Sequence, residues 1–363
     1  MRIAIDGTPL LGARTGVATM VESLVGRFAA RDDTHVVAYA VSGRMSLDGG
    51  VPNGVDTARS RLPAKLAWWF WERADRPRIE HWTGAVDVVH GTNYVGPPAA
   101  SPVVVTVHDL TFLRFPEMCT TDTLRFPRLL RRAFQRGAHV HTPSDFVRDE
   151  VIAEFAIDPA RVVRIHHGLA PSAAGDASRG RARAGASRYV LAVGTVEPRK
   201  NLPVLVRAFD AVAGDDEDLV LVVAGPSGWG AEALAEATRV ARASDRIRRI
   251  GYVSPAERAD LLAGATLFAY PSLYEGFGFP PLEAMAAGVP VVAGAAGALP
   301  EVVGDAALFV DPHDADAVAA GLARLTDDET CRADLIARGR ARAATYSWDI
   351  AVDEMLKLYR SLS

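Results

Sequence analysis

The sequence predicts an α/β protein of two domains, each a parallel sheet covered by helices, and three observations predict it. Short β-rich apolar runs alternate with amphipathic segments along nearly the whole chain, the pattern of strands joined by crossover helices. The 363 residues exceed what one hydrophobic core usually serves and suit two domains of roughly 170 to 190 residues each. Residues 169–187, dominated by Ala, Gly, Ser and Arg with no apolar period, break the alternation into two series and read as a linker.

The first series, residues 1–168, places strands at Arg2 to Asp6, His35 to Ala40, Asp87 to Gly91, Val103 to Asp109, His139 to Pro143 and Arg161 to His166. The second, residues 188–345, places them at Tyr189 to Thr195, Leu219 to Ala224, Arg246 to Tyr252, Leu267 to Pro271, Val289 to Ala293 and Ala307 to Val310. These runs have the length and apolar character of buried strands. After Asp311 the pattern turns helical, over Asp314 to Leu325, Thr330 to Thr345 and Trp348 to Ser361. Residues 346–363 are thus a C-terminal helix with room to cross back to the first domain.

Composition narrows the function. A net charge of −4 supplies no overall basic field for a nucleic-acid backbone, so any anion must be held locally. Apolar stretches such as Ser101 to Val107 and Leu219 to Ala224 have strand length and fall short of the ~20 residues of a membrane span. Met1 to Asp6 runs straight into a strand, so no targeting peptide is read and a cytoplasmic protein is expected. Cys119 and Cys331 fall in different predicted domains, against a disulfide or a cysteine metal site. His139 and His141 share a strand face but lack a third ligand, and no metal site is predicted.

Four segments carry candidate chemistry. In Tyr270 to Val292, YPSLYEGFGFPPLEAMAAGVPVV, a strand ends in the loop Gly276, Phe277, Gly278, and Pro280 and Pro281 suit the first turn of a helix whose positive end faces an anion. Glu275 and Glu283 flank that loop as acceptors for sugar or ribose hydroxyls; the plainer reading makes them a turn residue and a first-turn charge. In Val193 to Leu202, VGTVEPRKNL, Arg199 and Lys200 stand where a strand delivers them to a ligand crevice, able to neutralise a pyrophosphate, or else remain a solvated pair. Thr8 to Met20, TPLLGARTGVATM, lacks both G-x-G-x-x-G and a GK[ST] ending, against NAD or P-loop chemistry, though Thr15, Gly16 and Val17 can offer amides at a helix start. In Val103 to Leu110, VVVTVHDL, His108 can bond a sugar hydroxyl or sit as a satisfied half-buried histidine, while Asp109 caps the turn.

Two further features stay open. Arg125, Arg128, Arg131, Arg132 and Arg136 recur at helical spacing, as a solvated face or as a contact for anionic lipid or a phosphorylated acceptor. The aromatics Trp68, Trp69, Phe70 and Trp71 suit core packing better than sugar or membrane contact.

With HGTNYVGPP from His90, VVVTVHDLTFLRFPE from Val103, TPSDFVRDEV from Thr142, GTVEPRKNL and EGFGFPPLEAMAAGVPVV in this order, the chain resembles the family-4 retaining glycosyltransferases of GT-B fold, group 1, particularly bacterial mannosyltransferase-like members. The resemblance implies two Rossmann-like domains with parallel sheets facing across a cleft, the first offering the acceptor and the second a nucleotide diphosphate sugar. It assigns catalysis to His108, Glu275, Arg199 and Lys200. Donor binding falls to Gly16, Arg199, Lys200, Tyr252, Val253, Glu275, Gly276, Phe277, Gly278, Leu282 and Glu283, with no metal and no cofactor beyond the donor. IHHGL at Ile165 departs from the Pro-Asn-Gly of many relatives, and Ala18 and Thr19 depart in the N-terminal loop.

The expected activity is transfer of a hexose, mannose from GDP-mannose before a UDP-sugar, with retention, to a hydroxyl of a saccharide, lipid-linked or small-molecule acceptor, in the cytoplasm or at the inner face of the membrane. The competing readings are a nucleotide-sugar epimerase, a sugar phosphorylase, or a non-catalytic sugar-nucleotide-binding protein.

Overall fold

The computed structural model describes residues 1–12, 15–170, 174–214 and 218–363. The chain divides into two compact units, Met1–Ala170 with Ser347–Ser363, and Pro171–Tyr346, each with its own hydrophobic core.

The first unit holds seven parallel strands, β1 (Arg2–Asp6), β2 (His35–Val41), β3 (Asp56–Ser60), β4 (Val88–Gly91), β5 (Val103–Thr106), β6 (His139–Thr142) and β7 (Val162–Arg164), in the order β3-β2-β1-β4-β5-β6-β7. The order reverses between β1 and β4, and the carboxyl ends of strands at such a reversal are where open α/β sheets bind ligands. Strand β3 is missing from the sequence reading because DTARS is polar: it is an edge strand, bonded to β2 alone, and mostly exposed.

The C-terminal helix Trp348–Leu362 belongs to this unit. Leu169 bridges Ser347, Trp348 and Tyr359 are buried, and the Tyr359 ring lies 5.7 Å from that of Phe28. Surface pairs flank the seam, Arg27 with Asp349 at 2.9 Å and Arg31 with Asp353 at 2.7 Å; exposed pairs contribute little, so the buried aromatics dominate.

The second unit holds β8 (Arg188–Val193), β9 (Leu219–Ala224), β10 (Ile247–Gly251), β11 (Leu267–Tyr270), β12 (Val291–Gly294) and β13 (Leu308–Val310), ordered β10-β9-β8-β11-β12-β13, so the reversal falls between β8 and β11. Within the span read as linker, Ala177–Ala184 form a helix of this unit, while residues 171–173 lie outside the described residues. Asp176 caps it, accepting from the amides of Ser178 at 2.8 Å and Arg179 at 3.0 Å. Its buried face is Gly180 and Ala184, and a Cβ at Gly180 would lie 1.9 Å from the Asp260 carbonyl of helix Pro255–Gly264. Close backbone approach replaces the apolar stripe that a sequence reading looks for.

Candidate active site

The reversal point of the second sheet gathers the charged candidates. After β8 a short turn, Pro198–Lys200, ends at Asn201 in the left-handed conformation, and helix Leu202–Ala213 begins. Asn201 Nδ2 donates to the Pro312 carbonyl at 2.5 Å, fixing the turn. After β11 the loop is tied to it, the Leu273 amide donating to the Arg199 carbonyl at 2.8 Å. The Ala298 amide donates to the Glu275 carbonyl at 2.8 Å, and at Gly297 (φ 59°) a Cβ would fall 2.6 Å from Glu275 main-chain atoms. Only glycine fits there.

These restraints bring Arg199, Lys200 and Glu275 together. Lys200 Nζ lies 2.5 Å from Glu275 Oε1, and an Arg199 guanidinium nitrogen lies 2.7 Å from Oε2. Lys200 also donates to the Tyr270 hydroxyl at 2.5 Å, and Arg199 Nε lies 3.1 Å from Glu197 Oε2. Glu275 and Lys200 are buried. Burial raises the Glu275 carboxyl, but Arg199 and then Lys200 outweigh it and hold it at about 2. Burial and then Arg199 push the Lys200 ammonium down while Glu275 opposes them. Burial, then Glu275, drive the Tyr270 hydroxyl far up, so it stays neutral. Tyr270 and Glu197 are the partners sequence reasoning missed; Tyr270 reads as strand and Glu197 as loop, and only the fold supplies their contacts.

The other donor-site candidates scatter around this cluster. Gly276 and Phe277 follow Glu275, and Gly278 caps helix Phe279–Ala286 without a side-chain acceptor, leaving its first amides to other partners. Glu283, inside that helix, lies 3.2 Å from an Arg258 guanidinium nitrogen; burial raises its carboxyl and Arg258 opposes. Tyr252 is exposed, whereas Val253 is buried. Leu282, in the same helix as Glu283, is wholly buried, so its side chain packs in the core.

His108 and Gly16 belong to the first unit. Gly16 is exposed at the start of helix Gly16–Ala29, where Thr15 accepts from the Ala18 amide at 3.3 Å; residues 13 and 14 of this loop lie outside the described residues. His108 Nε2 donates to the Thr92 carbonyl at 2.9 Å, which in the neutral ring leaves Nδ1 an acceptor. Burial lowers its basicity, opposed by Thr92 and Asp109. Asp109 accepts from the Thr111 amide at 3.0 Å and the Tyr94 hydroxyl at 3.1 Å.

Beneath His108 runs a buried polar chain whose direction chemistry fixes. The Ile165 carbonyl can only accept, so His141 Nε2 donates to it at 2.9 Å and Nδ1 accepts from the Thr106 hydroxyl at 2.9 Å. Thr106 then accepts from His90 Nε2 at 2.7 Å, and His90 Nδ1 accepts from the Tyr359 hydroxyl at 2.5 Å. Both rings are neutral and fully satisfied, and burial holds His141 down at about 4. His141 therefore has no lone pair left for a metal, and among the described residues no group of three or more His, Cys, Asp or Glu could hold one. At the end of β1, Asp6 is buried and accepts from the Thr8 amide at 2.9 Å; burial, against these Thr8 bonds, raises its carboxyl to about 6.

The five arginines expected to share one basic face do not all face solvent. Arg125 Nε pairs with Glu72 at 2.8 Å, Arg132 with Asp75 at 2.9 Å, and Arg136 donates to the Gly96 carbonyl at 2.7 Å. Arg128 and Arg131 are exposed, Arg131 lying 5.5 Å from the Phe155 ring centre. Of the aromatic run, Trp71 is buried and Trp69 exposed. Among the described residues no helix is long and apolar enough to cross a membrane.

Comparison with known proteins places this arrangement. Residues 14–173 match Glycosyltransferase Family 4 and residues 176–342 match Glycosyl transferases group 1. O-antigen chain mannosyltransferase B of Escherichia coli is 33% identical over 283 residues, spanning 76% of this chain and 74% of its own. The chain belongs to the family-4, group 1 glycosyltransferases. This glycosyltransferase is also 38% identical to the D-inositol 3-phosphate glycosyltransferase of Salinispora tropica, over 71% of its own length and 58% of that relative's. Its GT-B fold matches sucrose-phosphate synthase from Thermosynechococcus elongatus at a TM-score of 0.79, with 21% identity over 99% of this chain and 98% of that one. Anabaena HepE, solved with UDP and glucose, matches at 0.75 with 18% identity over 100% of both chains.

Proposed function

We propose that the enzyme is a retaining mannosyltransferase that moves mannose from GDP-mannose to a hydroxyl of a saccharide, lipid-linked or small-molecule acceptor. The observation that carries this is the cluster of half-buried Arg199 with buried Lys200 and Glu275 at the reversal point of the second sheet. Two fixed cations at strand ends suit a leaving diphosphate, and a carboxylate beside them suits sugar hydroxyls. The mannosyl choice is supported by the Escherichia coli relative, and a nucleotide diphosphate donor by the UDP bound in HepE.

In the proposed reaction the bond from the anomeric carbon to the diphosphate oxygen breaks and a bond to the acceptor oxygen forms on the same face. The acceptor's proton passes to the departing phosphate oxygen. Arg199 and Lys200 stabilise the charge that develops there, Glu283 accepts from the ribose, Gly276 and Gly278 bring main chain close to the donor, and His108 Nδ1 accepts a sugar hydroxyl. Any contact with an anionic membrane surface runs through Arg128 and Arg131, since Arg125 and Arg132 are paired with acids.

The test is a panel of nucleotide sugars with EDTA-treated protein, following binding by calorimetry and slow donor hydrolysis. GDP-mannose is expected to bind and be hydrolysed, and with an acceptor present the new mannosyl linkage is expected to be α by NMR; binding of no nucleotide sugar would overturn the reading.

A further inference from the structure

The cations assigned to the diphosphate are already balanced. Arg199 lies 3.1 Å from Glu197 and 2.7 Å from Glu275, and Lys200 lies 2.5 Å from Glu275, so two positive and two negative groups form one neutral cluster. A diphosphate entering a bare pair of cations would gain their whole field; entering this cluster it must compete with two carboxylates for the same donors. Glu275 is explained by the sugar it faces in the proposed reaction. Glu197 is not: it is half-buried, stands in the turn before the cations, and its side chain is held by Arg199 Nε.

We infer that Glu197 is a positioning residue of the donor site, whose carboxylate aims the Arg199 guanidinium and keeps the cluster neutral, so that the diphosphate binds by exchange and leaves readily after transfer. The inference rests on the assignment of Arg199 and Lys200 to the diphosphate. Geometry supports the aiming part: Glu197 grips Nε while Glu275 and the Tyr274 carbonyl, at 3.2 Å, take the terminal nitrogen, which fixes the plane of the fork. Main-chain bonds hold the turn independently of the side chain, the Glu197 amide to the Thr195 carbonyl at 2.8 Å and the Lys200 amide to the Glu197 carbonyl at 3.0 Å. Substitutions at Glu197 therefore leave the fold in place, which melting curves check.

The test measures GDP and inorganic pyrophosphate binding by calorimetry, with donor KM and kcat, in the wild type, Glu197→Gln and Glu197→Ala. Glutamine keeps an oxygen for Nε and removes the charge. It is expected to tighten both ligands about tenfold, and to lower donor KM and kcat together as release slows. Alanine removes the aim as well and is expected to bind both ligands more weakly than glutamine does. Equal or weaker binding by Glu197→Gln overturns the charge role, and tightening by Glu197→Ala equal to that of Glu197→Gln overturns the positioning role. Failure of the wild type to bind GDP or pyrophosphate instead overturns the assignment of the site itself.

Discussion

The two sheets turn at equivalent places and treat charge there in opposite ways. In the first unit burial disfavours charge: His90 on β4 and His141 on β6 are held neutral, and Asp6, at the end of β1 beside the reversal, ionises only above about 6. At the reversal between β8 and β11 the second unit keeps its groups ionised, with Glu275 held at about 2 despite burial. Topology decides where a ligand meets the sheet, and the partners at that point decide which ligand is tolerated. Neutral donors and acceptors suit an uncharged hydroxyl; a set of ions suits a diphosphate.

The sharpest way to break this comparison is to remove a cation from the second unit. Lys200→Ala is expected to lower turnover by about a hundredfold or more, since preorganised charges at a leaving group typically supply several kcal/mol. Near-wild-type turnover in a folded Lys200→Ala protein would remove the electrostatic role and with it the contrast between the sheets.

Acid should separate the units next. His141 is ordinarily protonated below 6.5 but in the fold only below about 4, so the unfolded chain binds the extra proton between those values and stability falls as pH drops through that window. The loss is about 3 kcal/mol for His141 alone, with His90 and His167 adding in the same direction. Glu275 acts lower: its stabilisation is complete above 4.5 and lost as pH falls towards about 2. The buried Trp71 and Trp348 both lie in the first unit and Trp229 of the second is exposed, so tryptophan fluorescence reports the first unit. A fluorescence transition between pH 6.5 and 4, ahead of loss of helical circular dichroism from the rest, is the expected result; a single transition below pH 4 would erase the difference.

Much of this was legible in the sequence, and the exceptions share a cause. Apolar strands such as Leu219–Ala224 announce themselves, whereas the polar edge strand Asp56–Ser60 and the Gly180 helix carry no apolar pattern, because one is exposed and the other packs by close backbone approach. Arg199, Lys200 and Glu275 could be singled out because each follows a strand end. Tyr270, Glu197 and Asp6 acquire meaning only from contacts: the Lys200 bond to Tyr270 spans 70 residues, and no local motif marks it. Leu282 shows the converse: a residue next to a recognisable motif whose burial only the fold reveals.

The smallest effect tests the unit in which burial disfavours charge. Asp6 ionises at about 6 in the fold against an ordinary 3.8, so it opposes folding, by an amount that grows as pH rises from 3.8 to about 6 and is constant above. Asp6→Asn keeps an oxygen for the Thr8 amide and hydroxyl and removes the charge. It should stabilise the first unit by about 1 to 2 kcal/mol at pH 7.5, less than the full ionisation cost of about 3 kcal/mol because the new amide nitrogen also needs a partner. The gain in melting temperature should shrink as pH falls below 6. A gain that persists unchanged at pH 5 would mean the carboxyl is not the source, and an outright loss of stability would mean that the first unit, like the second, needs its acid charged.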